Sequence, residues 1–212
     1  MFDFEVQDFR LHTPARERDV TTSPLKRFRA VTTNPIDEPA FRLRTSVLAF
    51  YKARRRYRNE SEKTDATVED VFIPLTEALW WACSVDEGFE DLDGTGYKTD
   101  RDQDTRGRVL RGLRYARNRC GHQRAMIVER SYGHTFPVTF PLTYTPFFTW
   151  RPLNELPPPD PKFRDQEGKD AYRKSLARKP AADTLDYTAQ WFATAQNRPG
   201  SAASLGPWPS ST

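Results

Sequence analysis

The chain has 212 residues, with 33 Lys and Arg against 29 Asp and Glu, and its formal net charge is +4. Only 37% of the residues are hydrophobic and 17 are proline, so we expect one domain with irregular appendages. No apolar run approaches a membrane span, no signal-peptide pattern opens the chain, and its two cysteines form no disulfide or metal framework, so a cytoplasmic protein without a membrane segment is expected.

Residues 1–40 show no sustained periodicity and are predicted to form an irregular N-terminal arm. A first helix is predicted from about Arg44 to Glu60. Its apolar side is expected to consist of Val47, Leu48, Tyr51 and Tyr57.

A second helix follows a capping-box pattern at Thr67–Asp70. Pro74 lies inside its apolar run, so the helix is expected either to kink there or to begin with Pro74 in its first turn. The glycines and acids between Asp86 and Gln103 predict a loop.

A third helix is predicted from about Thr105 to Met126. After it, apolar residues at even positions from 136 to 144 alternate with Pro and Thr, which is the period of a strand. The prolines would confine such a strand to a sheet edge. We therefore expect an extended, β-like aromatic segment near 132–150.

The rest of the chain is predicted to contain a stiff linker, two helices and a tail. The linker is the proline-rich stretch Asn154–Pro161. The helices run from about Asp165 to Ala177 and from Ala181 to Ala195, and the second is expected to bury Leu185, Ala189 and Phe192. Residues 197–212 are rich in Gly, Pro and Ser and are expected to be disordered. The predicted fold class is mainly α.

Charge is distributed unevenly along the chain. Residues 101–130 carry nine arginines against three acids, whereas residues 61–100 carry eleven acids against two lysines. This pattern is typical of phosphate binding on one helix face and neutralisation within the molecule on another, but also of an ordinary solvated helix.

The third helix has two opposed faces. Its apolar side consists of Val109, Leu113, Ala116 and Cys120, which marks Cys120 as a buried residue rather than a nucleophile. On the opposite side lie Arg111, Arg114, Asn118 and His122, with Arg117 on the flank between the two sides. The polar face is therefore expected to meet solvent, a ligand or a second chain.

These residue types suit RNA cleavage without a metal. An imidazole can exchange protons near neutrality, as removal of the 2′-OH proton and protonation of the leaving 5′-oxygen require. A guanidinium matches the phosphate oxygens, and an amide can orient a hydroxyl. A single active histidine per chain is few for a reaction that needs an acid and a base, and a two-fold dimer would supply both.

The hexapeptide Arg117-Asn118-Arg119-Cys120-Gly121-His122 resembles the Arg-X4-6-His signature of the HEPN superfamily, in the form where a polar residue follows the arginine. The resemblance implies a bundle of four to five helices over residues 41–196, with 132–161 as an extended insertion. It implies a metal-independent endoribonuclease, without cofactors, that leaves a 2′,3′-cyclic phosphate and acts as a toxin or phage-defence effector.

The resemblance assigns catalysis to Arg117, Asn118 and His122. It also implies a homodimer with a composite active site, restrained by an antitoxin or another regulatory protein. From the residues, RNA binding is assigned to Arg111, Arg114 and Arg119, and Glu77 and Asp86 are candidates to orient Arg117 or His122.

Departures from the pattern leave other readings open. Gly121 is expected to loosen or end the helix next to His122, since glycine costs about 1 kcal/mol in a helix interior. A HEPN-like module that binds RNA or protein without cleaving is one alternative. A structural or assembly protein that uses the arm and the aromatic segment is the other. The histidine itself would then be a surface residue at a helix end.

Overall fold

The computed structural model describes residues 38–133, 145–162 and 164–203. Over these residues the protein is mainly α with one small sheet, as the sequence predicts. The helices are α1 (Pro39–Ser61), α2 (Val68–Gln103), α3 (Val109–Gln123), α4 (Gln166–Ser175) and α5 (Ala181–Ala195). The strands are β1 (Val128–Gly133) and β2 (Thr145–Trp150). No helix among the described residues is long and apolar enough to cross a membrane.

Helix α1 begins earlier than predicted, with Pro39 in its first turn, where the missing N–H of proline costs nothing. Its core side is formed by Leu43, Val47, Phe50, Ala53 and Tyr57. The prediction that Leu48 belongs to this side is wrong, because Leu48 is 44% exposed. Phe50, which is fully buried, takes the place that Leu48 was expected to fill.

Helix α2 begins at the predicted capping box. The Asp70 N–H donates to Thr67 Oγ1 at 3.2 Å, and the Thr67 N–H donates to Asp70 Oδ2 at 2.9 Å. Pro74 is the seventh residue of the helix, so it neither starts the helix nor breaks it; the one residue with non-helical dihedrals inside α2 is Gly94, at φ 60°. The box rather than the proline therefore defines where α2 begins.

The predicted loop Asp86–Gln103 is wrong: this segment is the second half of α2, interrupted at Gly94. It is helical because it buries apolar rings. Phe89 and Tyr97 are fully buried and stack with their centroids 5.2 Å apart. Two of the acids that suggested a loop, Asp86 and Glu90, are held in ion pairs with Arg101.

Helix α3 lies between α2 and α4, and α5 crosses α1, α2 and α3. Gly112 allows α3 to approach α4, since a Cβ there would lie 2.6 Å from Leu176 Cδ1 and 3.2 Å from Tyr172 Cα. The predicted bounds of α5 are confirmed, as is the burial of Leu185, Ala189 and Phe192.

Strands β1 and β2 pair antiparallel, from Val128 opposite Trp150 to Gly133 opposite Thr145. They confirm the ends of the extended segment predicted near 132–150. The alternating residues 136–144 lie outside the described residues, as do 1–37 of the predicted arm and 204–212 of the predicted tail. The predicted linker contains a single 3₁₀ turn at Leu153–Glu155.

The tail prediction is wrong for its first residues. Asp93 of α2 accepts hydrogen bonds from Ser201 Oγ at 2.6 Å and from the Ala202 N–H at 2.7 Å. Ala203 is fully buried. Residues 197–203 are thereby fixed to the middle of α2.

Candidate functional site

The hexapeptide occupies the last two turns of α3. The helix ends at Gln123, and Arg124 follows in the left-handed conformation at φ 50°. The Arg124 N–H donates to Cys120 O and the Ala125 N–H donates to Arg119 O, each at 3.1 Å, which is a Schellman closure. Gly121 is therefore helical, and the helix ends next to His122, at Gln123.

Arg117 is held in place by contacts with both helices. Its guanidinium lies 5.2 Å from the centroid of the Trp80 ring on α2. It donates to Asn118 Oδ1 from Nε at 3.2 Å and from Nη2 at 3.1 Å, and its Nη1 lies 3.5 Å from Glu87 Oε1. A cation between an aromatic face, an amide and a carboxylate is restrained without being buried as a closed ion pair.

His122 lies one turn beyond Asn118 and is exposed. Within the part of the chain that the structure describes, its imidazole has no hydrogen-bond partner and no ion pair. It belongs to the last turn of α3. Both ring nitrogens are therefore open to a ligand or to a second chain.

Two of the arginines predicted to bind RNA, unlike His122, have acidic partners within the protein. Arg111 pairs with Asp102 at 2.6 Å and with Glu167 at 2.8 Å. Arg114 pairs with Asp86 at 2.6 Å and lies 3.6 Å from Glu90. Both remain partly exposed, but their charge is largely balanced within the molecule. The structure therefore places them on the predicted face with protein partners.

Arg119 is not on the exposed face with the other arginines. It is 1% exposed and donates to Tyr115 Oη at 2.9 Å and to the carbonyl of Pro157. The assignment of Arg119 to RNA contact is corrected accordingly. The physical reason is that the connection before α4 covers the side of α3 on which Arg119 lies. A helical wheel of α3 alone cannot show this cover, and it treats that side as an open flank of the helix.

Neither acid proposed to orient the motif contacts it. Glu77 pairs with Arg56 of α1 at 2.5 Å. Asp86 is 1% exposed and accepts hydrogen bonds from Tyr97 Oη at 2.8 Å, from Arg101 and from Arg114. The acid nearest to Arg117 among its ion pairs is Glu87 instead.

Asp86 is the centre of a buried network between α2, α3 and α5. Trp191 Nε1 donates to Tyr97 Oη at 3.1 Å, so the chain of hydrogen bonds continues into α5. Burial alone would raise the pKa of the Glu90 carboxyl, but the hydrogen bond and charge of Arg101, with the charge of Arg114, hold that pKa below its usual range. The network therefore links the helices α2 and α3, which carry the candidate site, to α5.

Large apolar side chains lie exposed on α2, and one of them, Trp80, contacts Arg117 of the motif. Ile73 is 70% exposed and Trp80 is 46% exposed, and these two residues share a face because seven residues separate them. Trp81 is 36% exposed, so neither tryptophan belongs to the buried core. A face of this composition is typical of a surface that meets a partner.

The cysteines offer no reactive thiol. Burial raises the pKa of Cys83 and of Cys120 to about 12, and both side chains are free and buried. Cys120 is thus a core residue, as predicted. No group of three or more His, Cys, Asp or Glu side chains among the described residues is placed to hold a metal ion.

Trp80 and Glu87 are the members of the site that sequence reasoning missed. The signal was present, since residues seven apart in a helix share a face and both therefore point toward α3. It was hidden because the helix was expected to end at Asp86, before Glu87.

Comparisons of the chain with protein-family models, with curated proteins and with solved structures give no match.

Proposed function

We propose that the chain is a metal-independent endoribonuclease of the HEPN type, which works as a homodimer. One observation carries the proposal: His122 is exposed and free of protein partners within the described residues, one helical turn from the Arg117–Asn118 pair. The neighbouring arginines on the same helix face are paired with acids at 2.6 Å, whereas Arg117 lies 3.5 Å from its acid and His122 has no partner among the described residues.

The proposed reaction is a transesterification. The 2′-oxygen loses its proton to an imidazole and attacks phosphorus, which forms the O2′–P bond of a 2′,3′-cyclic phosphate. The P–O5′ bond breaks, and the leaving oxygen takes a proton from a second imidazole. Arg117 neutralises the charge that accumulates on the phosphate, and Asn118 orients the attacking hydroxyl.

The homodimer supplies the second imidazole. Each chain contributes one His122, and the exposed side chains Ile73, Trp80 and Trp81 of α2, of which Trp80 lies against Arg117, offer the apolar area for contact between two copies. Docking there would place two motifs in one cleft and exclude water from them. A toxin or phage-defence effector restrained by a regulatory protein is the corresponding biological role.

A binding module without catalysis is the second candidate. The observation that favours it is the lack of any described side chain that orients the His122 ring, because general bases are usually held by a partner. Such a module would bind RNA through Arg117 and Asn118 and leave it intact. The cleavage experiment separates the two candidates.

The test is cleavage of RNA by the purified chain in EDTA. His122→Ala is expected to lower the rate by about 10²–10⁴-fold, the usual contribution of an acid–base side chain. Arg117→Ala is expected to act similarly. Arg44→Ala removes an equivalent charge from an exposed position on α1 and should leave the rate unchanged.

Three outcomes would contradict the proposal. Cleavage that survives in His122→Ala would show that the activity belongs to other residues or to a contaminant. Sedimentation that finds only monomers at concentrations where the chain cleaves would exclude the composite site. RNA binding without cleavage by any preparation would favour the binding module.

A further inference from the structure

A basic cleft lies at the opposite end of α3 from the candidate site. It has a volume of about 540 Å³ and is bounded by the start of α3, the end of α4 and one face of α5. His122 is 13 residues beyond Val109, which lines the cleft, so the two places are separated by about 20 Å along the helix. The proposed cleavage uses none of the cleft residues.

The cleft carries uncompensated positive charge. Four cations line it, namely Arg106, Arg108, Lys174 and Lys179, and none of its described lining residues is acidic. Arg106 is neutralised by Asp104, to which its Nη2 donates at 2.8 Å. Arg108 and Lys174 have no ion pair within the described part of the chain, and both are exposed.

Lys179 is fixed beside them. Its Nζ donates to the carbonyl of Lys174 at 2.9 Å, which leaves its other N–H groups free and keeps the ammonium at the cleft wall. The hydroxyls of Thr105 and Ser175 line the same space. Three cations and two hydroxyls around one space are the groups that bind phosphate oxygens in proteins.

The remaining wall is aromatic. Tyr187 of α5 lines the cleft and is 48% exposed, although tyrosine rings on α-helices are usually packed against the core. An exposed ring next to cations offers a stacking surface for a planar base. The volume lies in the range of small-molecule sites.

We propose that this cleft binds the phosphate of a nucleotide through Arg108, Lys174 and Lys179, with the base against Tyr187. The nucleotide is either free or part of an RNA strand, and the chemistry of recognition is the same in both cases. The inference does not depend on the proposed cleavage, since a nucleotide can bind here whether or not the motif is catalytic.

The experiment measures binding by the full chain. The probes are AMP, inorganic phosphate and a labelled 2′-O-methyl oligonucleotide, which lacks the free 2′-OH and cannot be cleaved. Arg108→Gln combined with Lys174→Gln is expected to weaken binding of AMP or of the oligonucleotide by about 10-fold per residue. It should also make the affinity for the oligonucleotide less dependent on salt.

The matched control is Arg44→Gln combined with Lys52→Gln, which removes the same charges from exposed positions on α1 outside the cleft. Its affinity should stay within about twofold of the wild type, as expected for surface changes. Tyr187→Leu is expected to weaken AMP about 5-fold or more without affecting inorganic phosphate, because only AMP has a base to stack. Tyr187→Phe should restore AMP binding.

Each outcome is decisive. AMP binding that the cleft variant abolishes assigns a free nucleotide, and loss confined to the oligonucleotide assigns an RNA strand. Unchanged binding of every probe in the cleft variant, or an equal loss in the control, overturns the proposal. AMP and inorganic phosphate binding are measured without any cleavage readout, so failure of the cleavage proposal would not be mistaken for failure of this one.

Discussion

The two ends of the exposed face of α3 look alike in sequence but differ in structure. Toward its start, Arg111 and Arg114 are paired with acids at 2.6 Å. Toward its end, Arg117 meets an aromatic ring and an amide, and its carboxylate contact is the longer one, at 3.5 Å. One stripe of polar residues thus contains a structural half and an available half.

The difference shows that the side chains of the neighbouring helix, α2, decide which arginines of α3 are paired with acids and which are not. Two acids of α2, Asp86 and Glu90, contact the first half of α3. Trp80, which is also on α2, contacts the end of α3. An arginine balanced by a buried acid has its charge taken up within the protein, and removal of either partner is costly, whereas an arginine over a ring keeps donors for a ligand. The predictions below test this division from its structural half to its available half.

The largest expected effect is on stability, from Asp86→Ala. The change leaves Arg101 and Arg114 without their shared buried acceptor, and breaking a buried pair from one side costs about 3–5 kcal/mol. The free energy of unfolding from urea titration measures it. The control is Asp91→Ala on the same helix, an exposed acid without an ion pair among the described residues, which should change stability by less than about 0.5 kcal/mol. Equal effects of the two variants would abolish the distinction between the halves.

A smaller loss is expected from Gly112→Ala, also in the structural half. The new Cβ would lie 2.6 Å from Leu176 Cδ1 and 3.3 Å from the Ala171 carbonyl carbon. Overpacking costs about 1–3 kcal/mol, and the better helix propensity of alanine returns about 1 kcal/mol of it. Thermal unfolding should show the net loss. Wild-type stability would contradict the close approach of α3 to α4.

Periodicity within one helix was enough to predict much of the fold. The bounds of α5, the capping box of α2 and the core side of α3 follow from spacing alone, because each depends on residues close in sequence. The second half of α2 was missed since its glycines and acids indicate a loop until their partners are known. Those partners, Arg101 and Arg114, act through tertiary contacts.

The candidate site, too, could be predicted only as far as spacing within one helix allows. A helical wheel places Asn118 and His122 on the exposed side of α3, where the structure also has them. It does not show that Pro157 and Tyr115 hold Arg119 in the core, or that Trp80 lies under Arg117. The sequence of one helix shows which residues share a face. The contacts of each residue depend on how several helices pack together.

The smallest expected effect on stability comes from Gly121→Ala in the available half. A Cβ at this position would lie 3.3 Å from Trp80 Cζ2, and the ring can yield by a few tenths of an ångström because it is 46% exposed. The helix propensity of alanine should then leave stability unchanged or raise it by up to about 1 kcal/mol. The displaced ring is the one that supports the Arg117 guanidinium, so RNA cleavage should fall, by about tenfold or less, while stability does not. Gly96→Ala is the matched control, since nothing lies within 4 Å of its Cβ, and it should raise stability without affecting cleavage. If Gly121→Ala cleaves as the wild type does, Trp80 does not position Arg117, and the available half depends on its own helix alone.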